Sequence, residues 1–117
     1  MKAGLWKYRG QIVRVVDGDT LVLDIDLGLN VTLKNQKIRL ARISSPEGKN
    51  TEAMIKLREF EGRRCYCEGV GKDKYGRWLF EVYAEIDDAE ELETINLSDY
   101  LLRLGVVSVY GQQQSKT

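Results

Sequence analysis

A mainly β fold with two short helices is predicted for this 117-residue chain. Three features predict it. Apolar and polar residues alternate at period 2 in several short runs. Turn-forming residues separate those runs. Only two stretches space their apolar residues helically behind a capping residue. The length corresponds to one domain over residues 1–117, with its core at about 8–110.

The first strand is Ile12-Val13-Arg14-Val15-Val16, ended by the turn signal Asp17-Gly18-Asp19. The second is Leu21-Val22-Leu23-Asp24-Ile25-Asp26-Leu27, with apolar odd positions and Asp24 and Asp26 facing the other way. Val31-Thr32-Leu33 and Ile38-Arg39-Leu40-Ala41-Arg42-Ile43 form a third, broken strand, bent or bulged at Lys34-Asn35-Gln36. Ser44-Ser45-Pro46-Glu47-Gly48 ends it. Asn50 or Thr51 then caps a short helix through about Phe60, and Ala53, Met54, Leu57 and Phe60 share its apolar side.

The fourth strand runs from about Arg63 to Val70. Cys65 and Cys67 share one face as small core residues, too close in sequence to pair readily with each other. The fifth strand is Trp78 to Ile86. After an acidic loop, Ser98 caps a second helix to Leu104, and Gly105 stops it. Val106 to Tyr110 is a short extended end, and Gln112 to Thr117 is a frayed tail. The order β-β-β-α-β-β-α suits a five-stranded closed barrel of the OB type, where closure removes sheet edges and the helices cover the barrel.

Composition narrows the chemistry. There is no histidine, so no Ser-His-Asp triad, Cys-His pair, His-ligated zinc or His base can exist. Any hydrolysis must use carboxylates and cationic side chains, with or without an oxygen-ligated metal. Two cysteines are too few for a disulfide scaffold. No apolar run is long enough to span a bilayer, and Met1 to Lys7 lacks the apolar stretch of a signal peptide, so a soluble, cytoplasmic protein is expected. No obligate protein partner is indicated.

The formal charge is zero, but its sign is segregated. Residues 81–99 hold eight acids and no Lys or Arg, which leaves a net +8 on the rest of the chain. A basic face beside an acidic loop is compatible with steering a polyanion to one side.

Three patches carry candidate chemistry. Asp17-Gly18-Asp19-Thr20 alone reads as a hairpin turn. Arg39-Leu40-Ala41-Arg42-Ile43-Ser44-Ser45-Pro46-Glu47 delivers an arginine and a carboxylate near one rim. Asp73-Lys74-Tyr75-Gly76-Arg77 is a basic, aromatic turn before the fifth strand.

In that order, and with the Leu97–Gly105 helix, these patches resemble the staphylococcal nuclease-like (thermonuclease) family over about Tyr8 to Tyr110. The resemblance implies an OB-type barrel and a calcium-dependent phosphodiesterase (nuclease) acting on DNA and RNA. Some relatives are binding domains without activity. By position, Asp19 matches a calcium-binding aspartate, and Ser45 matches a residue whose backbone carbonyl meets the metal. Arg39 and Arg77 match the arginines that clamp the scissile phosphate. Glu47 matches the glutamate proposed to activate water. Lys74 and Tyr75 match a nucleotide-contacting pair. Tyr110 is assigned no role, because its spacing differs from that of the family's rim tyrosines.

One departure bears on the metal. The family carries a second metal-binding aspartate where this chain has Ser44. Calcium affinity follows ligand charge, so weak Ca²⁺ binding is expected, other divalent ions can serve, and Asp17, Asp24 or Asp26 are the candidates to compensate. The expected function is therefore metal-dependent nuclease action by in-line attack of water. The alternative is a catalytically impaired OB-fold module that binds nucleic acid or protein.

Overall fold

The computed structural model describes residues 7–48, 50–88 and 91–110. The Gln112–Thr117 tail and the middle of the acidic stretch, 89–90, lie outside the described residues.

The chain is mainly β sheet with two helices. In order, β1 is Lys7–Asp17, β2 Thr20–Gly28, β3 Val31–Leu40, β4 Ile43–Ser44, α1 Glu52–Arg58, β5 Arg64–Lys72, β6 Trp78–Asp88, β7 Glu91–Asn96, α2 Leu97–Leu104 and β8 Ser108–Val109. Six strands form one sheet in the order β3-β2-β1-β5-β6-β7, and β3 also pairs with β6. The pairings β1–β2, β2–β3, β3–β6, β6–β5 and β5–β1 therefore close a ring of hydrogen bonds. All are antiparallel except β3–β6, which is parallel and short: Arg39 faces Leu79 and Leu40 faces Phe80.

The local sequence explains most elements. The period-2 pattern of β2 puts Leu21, Leu23 and Ile25 inside the ring, at most 5% exposed. Ile12, Ile38, Leu40, Cys65, Cys67 and Val82 meet them from the other strands. Both cysteines are free buried thiols, as their shared face implies. The bend expected at 34–36 is a bulge inside a continuous β3: Asn35 has φ 56°, and its N–H is held by the Asp24 carboxylate at 2.8 Å. Thr51 caps α1 by accepting from the Met54 N–H. Ala53, Met54 and Leu57 then pack on the core. Phe60 meets Tyr100 of α2 edge to face at 5.5 Å.

Three expectations are corrected. Ile43 is not part of β3: Arg42 turns the chain at φ 75°, and Ile43–Ser44 pairs instead with β8. The acidic stretch is not a plain loop. Its second half is β7, antiparallel to β6 with Ile95 opposite Ala84 and Glu93 opposite Ile86. Acidic residues tolerate an edge strand because their charges keep other chains away from its open hydrogen bonds. Ser98 does not cap α2; Asn96 does, accepting from the Asp99 N–H at 2.8 Å. Ser98 is fully buried and donates to the Ala41 carbonyl at 2.8 Å. Gly105 ends the helix at φ 76°, as expected. Among the described residues no helix is long and apolar enough to cross a membrane.

Candidate active site

The β1–β2 turn sets the first functional side chain. Gly18 is required there by close approach. A Cβ at this position would lie 2.6 Å from Ser45 Oγ, 2.7 Å from Ser45 Cβ and 2.9 Å from the Ala53 methyl. The turn therefore presses directly on the chain after β4 and on the start of α1. That contact brings Asp19 to the Ser45 N–H, which donates to Asp19 Oδ2 at 3.2 Å. Thr20 Oγ1 donates to Oδ1 at 3.0 Å, and the Asp19 N–H donates to Asp17 at 3.2 Å.

Arg39 comes from β3, where it sits opposite Thr20. It is 5% exposed, its Nη2 lies 3.3 Å from Asp19 Oδ2, and its guanidinium stacks 4.8 Å from the Tyr110 ring centre. A buried arginine held by a carboxylate and a ring keeps a fixed direction.

Arg77 is presented differently. In the β5–β6 turn, Asp73 Oδ1 accepts from the Tyr75 and Arg77 N–H groups at 2.9 Å each. Asp73 Oδ2 takes Arg77 Nε at 2.7 Å. Gly76 supplies the φ of 83° that closes the turn. Among the described residues, Arg77 Nη1 and Nη2 carry no hydrogen bond, so the end of its fork is free for a ligand. Tyr75, 70% exposed, stands beside it with Arg77 at 5.4 Å and Lys74 at 5.5 Å from the ring centre.

One open hollow of about 560 Å³ is lined by Asp17, Asp19, Arg39, Ser44, Ser45, Glu47 and Arg77, with Val16, Pro46, Gly48 and Met54. Asp19, Arg39, Ser44, Ser45, Glu47 and Arg77, drawn from four separate stretches of the chain, thus share one cavity. Lys74 and Tyr75 lie outside its lining, on the adjoining turn. Glu47 is exposed and makes no hydrogen bond or ion pair among the described residues.

The two aspartates behave as a pair. Burial lifts the Asp19 carboxyl above its ordinary value, and the hydrogen bond with Asp17 lifts it further, against the Ser45 N–H and Arg39. Burial also pushes Asp17 up, but hydrogen bonds from Asp19 and Thr20 and the charge of Arg39 outweigh it, so Asp17 ends below its ordinary value. Of the two, Asp19 is therefore the carboxyl that takes up a proton first as pH falls.

These donors fit a hard cation in kind. Asp17 and Asp19 offer carboxylate oxygens, and Ser44 and Ser45 offer neutral ones, which is the oxygen chemistry calcium takes. The set is thin in charge: among the described residues no three His, Cys, Asp or Glu side chains converge. Asp24 is committed elsewhere, to the Asn35 N–H and to Lys34, and Asp26 caps the Gly28 N–H at the far hairpin. Of the three candidates to compensate for Ser44, only Asp17 lines the hollow.

Sequence reasoning missed Tyr110. The Tyr110 N–H donates to the Arg42 carbonyl at 2.8 Å, and the β4–β8 pairing carries the ring to Arg39. Sequence spacing gave no signal for that contact, because a two-residue strand pairing set it. Asp73 was legible in principle, as an acid four residues before Arg77. No protein-family model and no curated protein sequence matches this chain.

Proposed function

We propose that this chain is a metal-dependent phosphodiesterase of the staphylococcal nuclease-like type, built on an OB-type barrel, that hydrolyses DNA or RNA. One observation carries the reading: Asp19, Arg39, Glu47 and Arg77 line a single hollow.

In-line attack of water on a phosphodiester loads negative charge onto the equatorial oxygens and the leaving oxygen. Arg39 and Arg77 meet that charge with guanidinium forks that stay protonated at any working pH. Arg39 is preorganised by Asp19 and Tyr110, so little reorganisation is needed as charge develops. Arg77 brings its free fork end from the turn that Asp73 fixes. Glu47, unpaired among the described residues, orients the attacking water and accepts its proton. Lys74 and Tyr75 contact the nucleotide beside the cleaved bond.

Asp17, Asp19 and the Ser45 carbonyl would hold a calcium ion, with Ser44 contributing only a neutral oxygen. A bound divalent cation supplies Lewis-acid stabilisation of the phosphoryl oxygens.

The test is incubation with plasmid, single-stranded DNA and RNA, in Ca²⁺, Mg²⁺, Mn²⁺ or EDTA. Cleavage that needs metal and falls by on the order of 100-fold or more in Glu47→Gln supports the reading. Ser44 favours a second reading, a module that binds nucleic acid without cutting it. Salt-sensitive binding with no cleavage in any metal would replace the first reading by this one.

A further inference from the structure

The ring has a second opening, and its chemistry differs from that of the polar hollow. Helix α1 packs on the core near β1 and α2, whereas a second hollow of about 300 Å³ is walled by all five ring strands. Its walls include Tyr8 of β1, Leu27 of β2, Gln36 of β3, Gly69 of β5, and Trp78 and Phe80 of β6. Gln36 is the one side-chain amide among three aromatic rings. Its Nε2 donates to the Lys34 carbonyl at 2.9 Å, which fixes the amide and leaves its oxygen and second N–H to a ligand. At the rim, Lys72 lies opposite Trp78 in the β5–β6 ladder, with Nζ 4.6 Å from the ring centre.

Aromatic walls, one oriented amide and a rim cation are the requirements of a planar heteroaromatic base attached to a phosphate. The β5–β6 turn ties this hollow to the first. Neighbouring residues of an extended chain project to opposite sides, so one turn gives Arg77 to the polar hollow and Trp78 to the aromatic one. Their Cα atoms are one trans-peptide step apart, about 3.8 Å. The turn also shows a repeated pairing of lysine with an exposed ring: Lys74 on Tyr75, then Lys72 on Trp78.

We infer that the aromatic hollow at the ring's open end is a nucleobase subsite, taking a base of the same strand whose phosphate lies between Arg39 and Arg77. The inference rests on the proposed phosphodiesterase reading and adds a consequence. A base can enter only after leaving its stack and pairing, so the subsite selects single-stranded or frayed substrate over intact duplex.

The test is fluorescence anisotropy of labelled oligothymidylates, two to eight nucleotides long, and of a matched duplex. EDTA is present throughout, so no cleavage intervenes. Trp78→Leu and the surface variant Lys72→Gln should weaken binding of the longer oligomers on the order of 10-fold. Their affinity for the dinucleotide and the duplex should not change. Trp78→Phe should restore most of the loss, and thermal melts verify that each variant is folded. Long oligomers bound equally by wild type, Trp78→Leu and Lys72→Gln, but weakly by Arg77→Ala, would overturn the subsite and leave the phosphate hollow standing. No oligonucleotide binding by the wild-type protein in EDTA, together with no cleavage in any metal, would overturn both.

Discussion

Two backbone positions show how single residues set the site and the fold. Gly18 has no room for a side chain, because a methyl there would meet Ser45 and Ala53 at under 3 Å. Gly18→Ala should push the β1–β2 turn away from the chain after β4, costing about 1–3 kcal/mol in urea melts. It should also loosen the Asp19 contact with the Ser45 N–H, so any metal-dependent activity should fall further than stability alone explains. Full stability in that variant would show that the turn can shift without cost. Leu29 presents the opposite case. It is 96% exposed at the tip of the β2–β3 hairpin, with φ 56°, and Asn30 follows at φ 67°. A two-residue turn with both φ values positive favours Asn-Gly, and leucine pays for the left-handed backbone without gaining any burial. Leu29→Asn should therefore raise stability by about 1 kcal/mol, read as a higher melting midpoint.

At the scale of elements, the second helix is held by two different serine- and asparagine-type contacts. Asn96 caps it, and Ser98 ties it to the Ala41 carbonyl. Asn96→Ala should cost about 1 kcal/mol, the ordinary loss of a cap. Ser98→Ala leaves the buried Ala41 carbonyl without that donor and should cost about 1–3 kcal/mol. Denaturant midpoints separate the two. If Ser98→Ala were the milder change, the hydroxyl would not be serving the carbonyl. Both contacts lie near the Ala41–Arg42 turn, whose Arg42 side chain reaches Glu81, Asp99 and Asn96. The Arg42 charge is strongly stabilised there, first by its bond to Glu81 and then, against the cost of burial, by Asp99. This cluster fixes where β3 ends and where β4 begins, and so where Ser44, Ser45 and Glu47 stand.

For the whole molecule, closure of the ring determines which charges share a hollow. The parallel β3–β6 seam is only two residue pairs long, and Arg39 is one of those residues. Around the hollow stand three acids, Asp17, Asp19 and Glu47, and two arginines, Arg39 and Arg77. Three acids against two arginines leave one net negative charge, so that balance attracts a divalent cation only weakly. Ser44→Asp should tighten Ca²⁺ binding on the order of 10-fold in titration calorimetry and raise any activity with it. Unchanged Ca²⁺ affinity would remove Ser44 from any metal shell. The sequence by itself determined the mainly β character, the two helices, the inward residues of β2 and the absence of histidine chemistry, because periodicity, caps and composition are local properties. It also singled out Asp19, Arg39, Glu47 and Arg77, although only as points along a line. Tertiary structure decided that they face one cavity, that Asp17 rather than Asp24 or Asp26 stands among them, that Tyr110 backs Arg39, and that part of an acidic stretch is an edge strand. Those outcomes depend on pairings between residues far apart in the chain, such as β4 with β8 and β3 with β6, and on one glycine's lack of a side chain, none of which leaves a periodic trace in the sequence.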